Sequence, residues 1–249
     1  MKQLIITVLL ALVGQNSWGQ DVHFSQYWNN GIQYNPGMAG VIPGNFRVAT
    51  FYRDQWSSVN AKYNSYGVNF DARLETRGNT EFGLGVNIFR DVAGDVKLGN
   101  THAQLAFSTI LSLNRNSKLS IGVNGGLEQR GFDASGATWN SQYANGSYDG
   151  TMASGEAFNS TSEAKGDVSV GAVYYYTTNE RYMTSNDQFN MKLGIAYNHI
   201  LRPSFQWYNL SGDQLYSNLV AHAEFLIGIP NSKLALRPAV VTQFQGQLV

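Results

Sequence analysis

Along most of the chain, apolar and polar residues alternate one for one. In residues 66–74, Tyr66, Val68, Phe70, Ala72 and Leu74 fall on one face of an extended backbone, and Gly67, Asn69, Asp71 and Arg73 on the other. Phe82, Leu84, Val86 and Ile88 alternate in the same way with Gly83, Gly85 and Asn87, and the pattern returns over 119–128. Further runs over 46–53, 102–113, 167–177, 191–199, 219–229 and 234–244 predict an all-β chain with one apolar and one polar face per strand. Between the runs lie turn residues. Segments 114–117 and 230–232 read as tight turns and 131–166 as a long polar loop. RDVAGDVK, with Asp91 and Asp95 around Ala93-Gly94, reads as a hairpin turn rather than a calcium loop.

Two architectures use such alternation. A soluble sandwich puts the apolar face inward and covers the other with charge. A membrane barrel puts the apolar face outward, with strands of about 9 to 11 residues, short turns at one end and long loops at the other. Here the polar faces carry Gly, Asn, Ser and Gln more than Lys or Glu, and aromatics such as Tyr66, Phe82, Tyr174 and Trp207 fall near strand ends. Glycine on the polar face suits a crowded interior. The pattern therefore predicts an antiparallel transmembrane β-barrel. The strand number, about nine, is odd, whereas single-chain bacterial barrels close with an even one. Either further strands lie within 131–166 and 207–218, or the C-terminal strands are missing; the latter is expected, because no terminal strand ending in an aromatic is present.

The N-terminus departs from the alternation. Lys2, the apolar run 4–13 and Ser17-Trp18-Gly19 before Gln20 have the layout of a signal peptide, and the run is shorter than the ~20 residues of a spanning helix. Next comes a stretch of amides and aromatics, including Phe24, Gln26, Tyr27, Trp28, Tyr34 and an Asn35-Pro36 turn. Amides hydrogen-bond to a polar interior while aromatics pack beside them, so this stretch is expected in or against the barrel lumen. The expected organisation is signal peptide 1–19, plug-like segment 20–45 and barrel 46–249.

Composition narrows the functional classes. Only 14% of the 249 residues are charged, against about a quarter in soluble domains, and 26 are glycine. Net charge is zero, without the basic field that nucleic acid requires. No cysteine is present, which removes disulfides, thiolate metal sites and an acylated N-terminal cysteine. The four histidines, His23, His102, His199 and His222, lack metal-ligand spacing along the chain. His102 and Ser108 share a strand face but lie ~20 Å apart, too far for a catalytic hydrogen bond. Gly83 and Gly85 precede no helix and are no phosphate loop. No enzyme, metal or cofactor is expected.

FSQYWNNGIQYNPGMAG resembles the opening signature of the PorP/SprF family, outer-membrane proteins of the type IX secretion system of Bacteroidota, whose members carry FSQY…N…NPA-x-AG. YRDQW, residues 52–56, is similar to the family's YR-x-QW. SYGVNFDARL, GLGVNIFRDVAGDV, KLSIGVNGGLEQRGFD, GDVSVGAVYYY, KLGIAYNHILRPSF and KLALRPAVV resemble successive family blocks in order, from Gln20 to the end of the chain. Gly37 stands where the family has alanine, and members usually continue past the last block through several more strands. The resemblance implies an outer-membrane barrel that secretes specific cargo proteins or holds them at the surface, gliding adhesins among them. Implied partners are the type IX translocon, its periplasmic ring and motor components, cargo with C-terminal signal domains, and outer-membrane lipid. The matching positions are Phe24, Gln26, Tyr27, Asn35, Pro36, Arg53, Gln55 and Trp56. They imply an architectural role, with Arg53 and Gln55 bonding to the N-terminal segment, or contact with a partner. The residues alone also allow a small-molecule porin and a secreted sandwich adhesin.

Overall fold

The structure, a computed structural model, describes residues 27–58, 62–76, 78–144, 146–157, 160–178, 188–206, 213–230 and 232–246. The expected signal peptide, Phe24, Gln26 and Trp207 lie outside them. Fourteen strands are described: β1 Phe46–Gln55, β2 Tyr63–Glu75, β3 Thr80–Ala93, β4 Leu98–Ser112, β5 Ser117–Gly131, β6 Tyr143–Ala144, β7 Ser147–Tyr148, β8 Ser162–Thr177, β9 Phe189–Asn198, β10 Ser204–Phe205, β11 Asp213–Gln214, β12 Asn218–Gly228, β13 Ala235–Leu236 and β14 Ala239–Gln245. Each long run predicted from alternation is a strand except the last, 234–244, which forms two. Ten strands form one antiparallel sheet in the order β1-β2-β3-β4-β5-β8-β9-β12, with β13 and β14 both paired to β12. β6–β7 and β10–β11 make two small hairpins apart from it, so the strands within 131–166 and 207–218 do not extend the sheet. A single sheet, not two facing ones, sets aside the sandwich.

Burial along the strands is inverted relative to a soluble protein. In β2, Asn69 and Asp71 have no solvent exposure while Phe70 is 39% exposed. In β5, Ser120, Asn124 and Glu128 are buried, whereas Ile121, Val123 and Leu127 are exposed. Apolar atoms facing outward are unfavourable in water at ~25 cal/mol per Å² and neutral in lipid, so this sheet is built to turn its apolar face to hydrocarbon. No described helix is long and apolar enough to cross a membrane.

The inner face is covered by the N-terminal segment, which folds as three short turns: Tyr27–Asn30, Gly31–Tyr34 and Pro36–Met38. Its apolar residues supply seven of the fifteen buried hydrophobic residues among those described, with Ile32 and Ala39 packed against Ala106 of β4, and Tyr27 and Tyr34 against Ala196 and Val220. Short connections 76–79 and 113–116 lie at one end of the sheet, and 132–161 and 199–217 at the other. The 94–97 connection is the hairpin turn expected, with Gly94 and Lys97 at positive φ.

The sheet is not closed. Among the described residues β1 pairs only with β2, and β14 only with β12, so of the expected barrel the structure shows the antiparallel sheet and not its closure. The last predicted run is divided in two at Arg237-Pro238, because proline has no N–H to give the ladder; the pairing to β12 keeps one register across the break. Phe225 N–H still finds the Pro238 carbonyl at 2.9 Å.

Candidate functional site

The site is the interface between the N-terminal segment and the inner face. Asn35 is its centre. It is fully buried, with extended φ and ψ of −152° and 112°, and its side-chain oxygen accepts the Gly37 N–H at 2.8 Å, which sets the turn that Pro36 begins. Its amide nitrogen lies 3.1 Å from the carbonyls of Ala172 on β8 and Ile195 on β9, and 3.0 Å from His222 Nε2 on β12. One side chain thus ties the segment to three neighbouring strands.

The remaining anchors extend from edge to edge of the sheet. Arg47 on β1 donates to the Trp28 carbonyl at 3.2 Å while holding Asp71 of β2 through two hydrogen bonds. Asn87 on β3 donates to Asn30 at 2.6 Å, and Ser108 on β4 to the Ala39 carbonyl at 2.7 Å. Lys192 and Asn198 on β9 donate to the carbonyls of Val41 and Tyr34 at 3.2 and 3.1 Å. The Tyr27 hydroxyl donates to the carbonyls of Ala223 on β12, at 3.0 Å, and Val240 on β14, at 3.3 Å. Burial, and next the negative charge of Glu224, push its pKa up to about 12 against the opposing pull of Arg237. The Trp28 ring lies 5.1 Å from the Arg237 guanidinium, which also pairs with Glu224. Trp28 therefore meets Arg47 from one edge of the sheet and Arg237 beside the other.

Glycine makes the close approach possible. A Cβ on Gly83 would strike the Ala39 carbonyl, and one on Gly122 the Pro36 carbonyl and the Gly37 nitrogen at 2.7 Å. Of the polar-face glycines, Gly83 and Gly122 are contact positions for the segment backbone, Gly85 meets the Ile32 and Ala39 side chains, and Gly67 faces neighbouring strands instead.

Of the signature positions, the structure brings Tyr27, Asn35 and Pro36 together in this interface. Arg53, Gln55 and Trp56 stand at the end of β1, where Arg53 donates to Gln55 at 2.7 Å and Trp56 is 67% exposed at φ 61°. Arg47 supplies a guanidinium bond to the described segment. Arg47, Lys192, Asn198 and His222 were not flagged from sequence; their only signal there is polar identity on the buried parity.

At the long-loop end of the inner face, four more polar groups converge. His102 Nε2 lies 3.3 Å from Glu128 Oε2, and His199 Nδ1 lies 2.7 Å from Asp167 Oδ2. The two imidazoles, far apart in sequence, stand with ring centroids 6.3 Å apart, and His102 stacks on Phe89 at 4.7 Å. Histidine spacing along the chain concealed this, because strand pairing, not local sequence, brings them together. His102 and Ser108 do share the inner face, but Ser108 is engaged with Ala39 and the two form no pair.

A family model described as type IX secretion system membrane protein PorP/SprF matches residues 16–248. No curated protein and no solved structure matches the chain.

Proposed function

We propose that this chain, which belongs to the PorP/SprF family of type IX secretion system membrane proteins, forms the wall of an outer-membrane β-barrel. In that setting it secretes particular cargo proteins or holds them at the cell surface, and gliding adhesins are the cargo expected. Closure in the membrane follows from the solvent: an open strand edge in hydrocarbon would leave a row of amides and carbonyls without partners.

The observation that carries this reading is the filled inner face. A wall with an apolar exterior and an interior taken up by its own segment is suited to presenting surfaces rather than conducting solutes. Cavities beside the segment have volumes such as 20 and 30 Å³, room for single waters. Cargo recognition then falls to the loops and ends of the wall, with cargo C-terminal signal domains, the translocon and its periplasmic ring and motor components as partners. We assign the protein no reaction and no cofactor in this role.

Deletion of the gene, with quantitative proteomics of medium, cell surface and periplasm and rescue from a plasmid, tests the proposal. The expected result is loss of one or a few large proteins from the surface, with their accumulation inside and recovery on rescue. An unchanged secretome with slower uptake of a solute would replace this reading with a porin.

A further inference from the structure

We infer that the inner face carries a binding site for one divalent transition-metal ion of the zinc type, built by His102, Glu128, Asp167 and His199. The four residues come from β4, β5, β8 and the position following β9, all neighbours in the sheet. Their side chains are at most 8% exposed. Ligand atoms of Glu128, Asp167 and His199 lie within 4.8 Å of one another.

The observation that points to a ligand is a pair of buried, under-satisfied carboxylate oxygens. Glu128 Oε1 accepts from Arg130 Nε at 3.1 Å, but the buried Oε2 receives no hydrogen bond. Asp167 Oδ2 is met by His199, yet its buried Oδ1 has no partner. Carboxylate oxygens in such a place ordinarily have donors; among the described residues Oδ1 of Asp167 has none, and Oε2 of Glu128 has only the His102 imidazole at 3.3 Å.

Geometry and charge select the occupant. The 3.3 Å between His102 Nε2 and Glu128 Oε2 is the separation of two ligands held at about 2.0–2.1 Å from one tetrahedral ion. Among Glu128, Asp167 and His199 the widest separation, within 4.8 Å, must close by up to ~1.5 Å to complete that geometry, and His102, outside that group of three, must move in with Glu128. Asn100 Nδ2, 3.4 Å from the same imidazole nitrogen, makes a long contact that the ion would displace. Two carboxylates balance a dication, and two imidazoles with two carboxylates suit zinc over calcium or magnesium, which take oxygen alone. A cavity of about 20 Å³ lined by both imidazoles leaves room for a water beside the ion. The bound ion would tie four consecutive long strands together where the long loops leave the wall.

The test uses the tag-free full chain, folded in detergent, stripped with a chelator and dialysed against Zn²⁺ or Co²⁺. The wild type should retain one zinc per chain by elemental analysis, and with Co²⁺ should give the intense visible bands of a tetrahedral nitrogen–oxygen site. Glu128→Gln and Asp167→Asn, each checked for folded gel mobility, should weaken retention at least ~10-fold, as expected when a metal site loses a directing group. Folded wild type that retains no zinc, or folded variants that retain as much as wild type, would overturn the assignment and leave two histidine–carboxylate ion pairs. If neither variant folds, the wild-type cobalt spectrum decides: tetrahedral bands support the site, and the spectrum of the aqua ion overturns it.

Discussion

Asn35 shows how much of the interface depends on single polar groups. Its amide meets two strand carbonyls and an imidazole, none of which has water to fall back on. Asn35→Ala should therefore destabilise the folded chain by ~2–4 kcal/mol, the cost of stranding such acceptors, read as a shift in the urea midpoint of folded gel mobility. Tyr27 gives a pH signature. Its hydroxyl must stay protonated to donate to Ala223 and Val240, and burial raises its pKa to about 12. A folded pKa raised above the unfolded value, ~10 for tyrosine, means a contribution intact below the unfolded value and lost as pH rises through the folded one. Protease protection of the segment should fall as pH rises from about 10 towards about 12, and Tyr27→Phe should weaken that dependence. At this scale the sequence was half legible. Asn35 and Pro36 stand out in any reading because an amide before proline announces a turn. His222, 187 positions away from its partner Asn35, is an isolated histidine until β12 is placed beside β9.

Strands were the most legible elements, because alternation is a local property and every long run but the last became a single strand. Two adjacent residues of β5 show what each face does. Ile121, on the outer face and 56% exposed, would be nearly neutral to substitution in a soluble protein. In lipid, Ile121→Arg should cost ~2–4 kcal/mol, the range for a cation near the midplane of a barrel wall, measured by refolding into vesicles. Gly122, on the inner face, should fail for a different reason. Gly122→Val should leave the strands formed and expel the segment, because the new Cβ overlaps the Pro36 carbonyl. Limited proteolysis would then cut within 27–45, where the wild type is protected. What alternation could not show was the break before β14: a periodic run hid the missing proline donor at Pro238, and only the ladder reveals it.

At the scale of the molecule, a single open sheet curves about its own N-terminal segment, and Trp28 meets both an arginine of one edge strand and an arginine beside the other. That the chain is all-β and antiparallel could be read from sequence because the alternation of apolar and polar residues is local to each strand. Which residues touch the segment could not, since those contacts exist only once distant strands are aligned. The central claim is that the apolar face of this sheet meets lipid while the polar face grips the segment. The absence of native cysteine allows a direct measurement: single-cysteine variants Leu105→Cys, Ile121→Cys, Ile195→Cys and, on the loop, Ser154→Cys, probed in intact membranes with a water-soluble maleimide and, after labelling, with a lipid-phase quencher. The strand positions should resist the maleimide and be quenched from the lipid, with Ser154→Cys behaving in the opposite way. Rapid aqueous labelling of all four positions, with no quenching from lipid, would contradict a membrane wall.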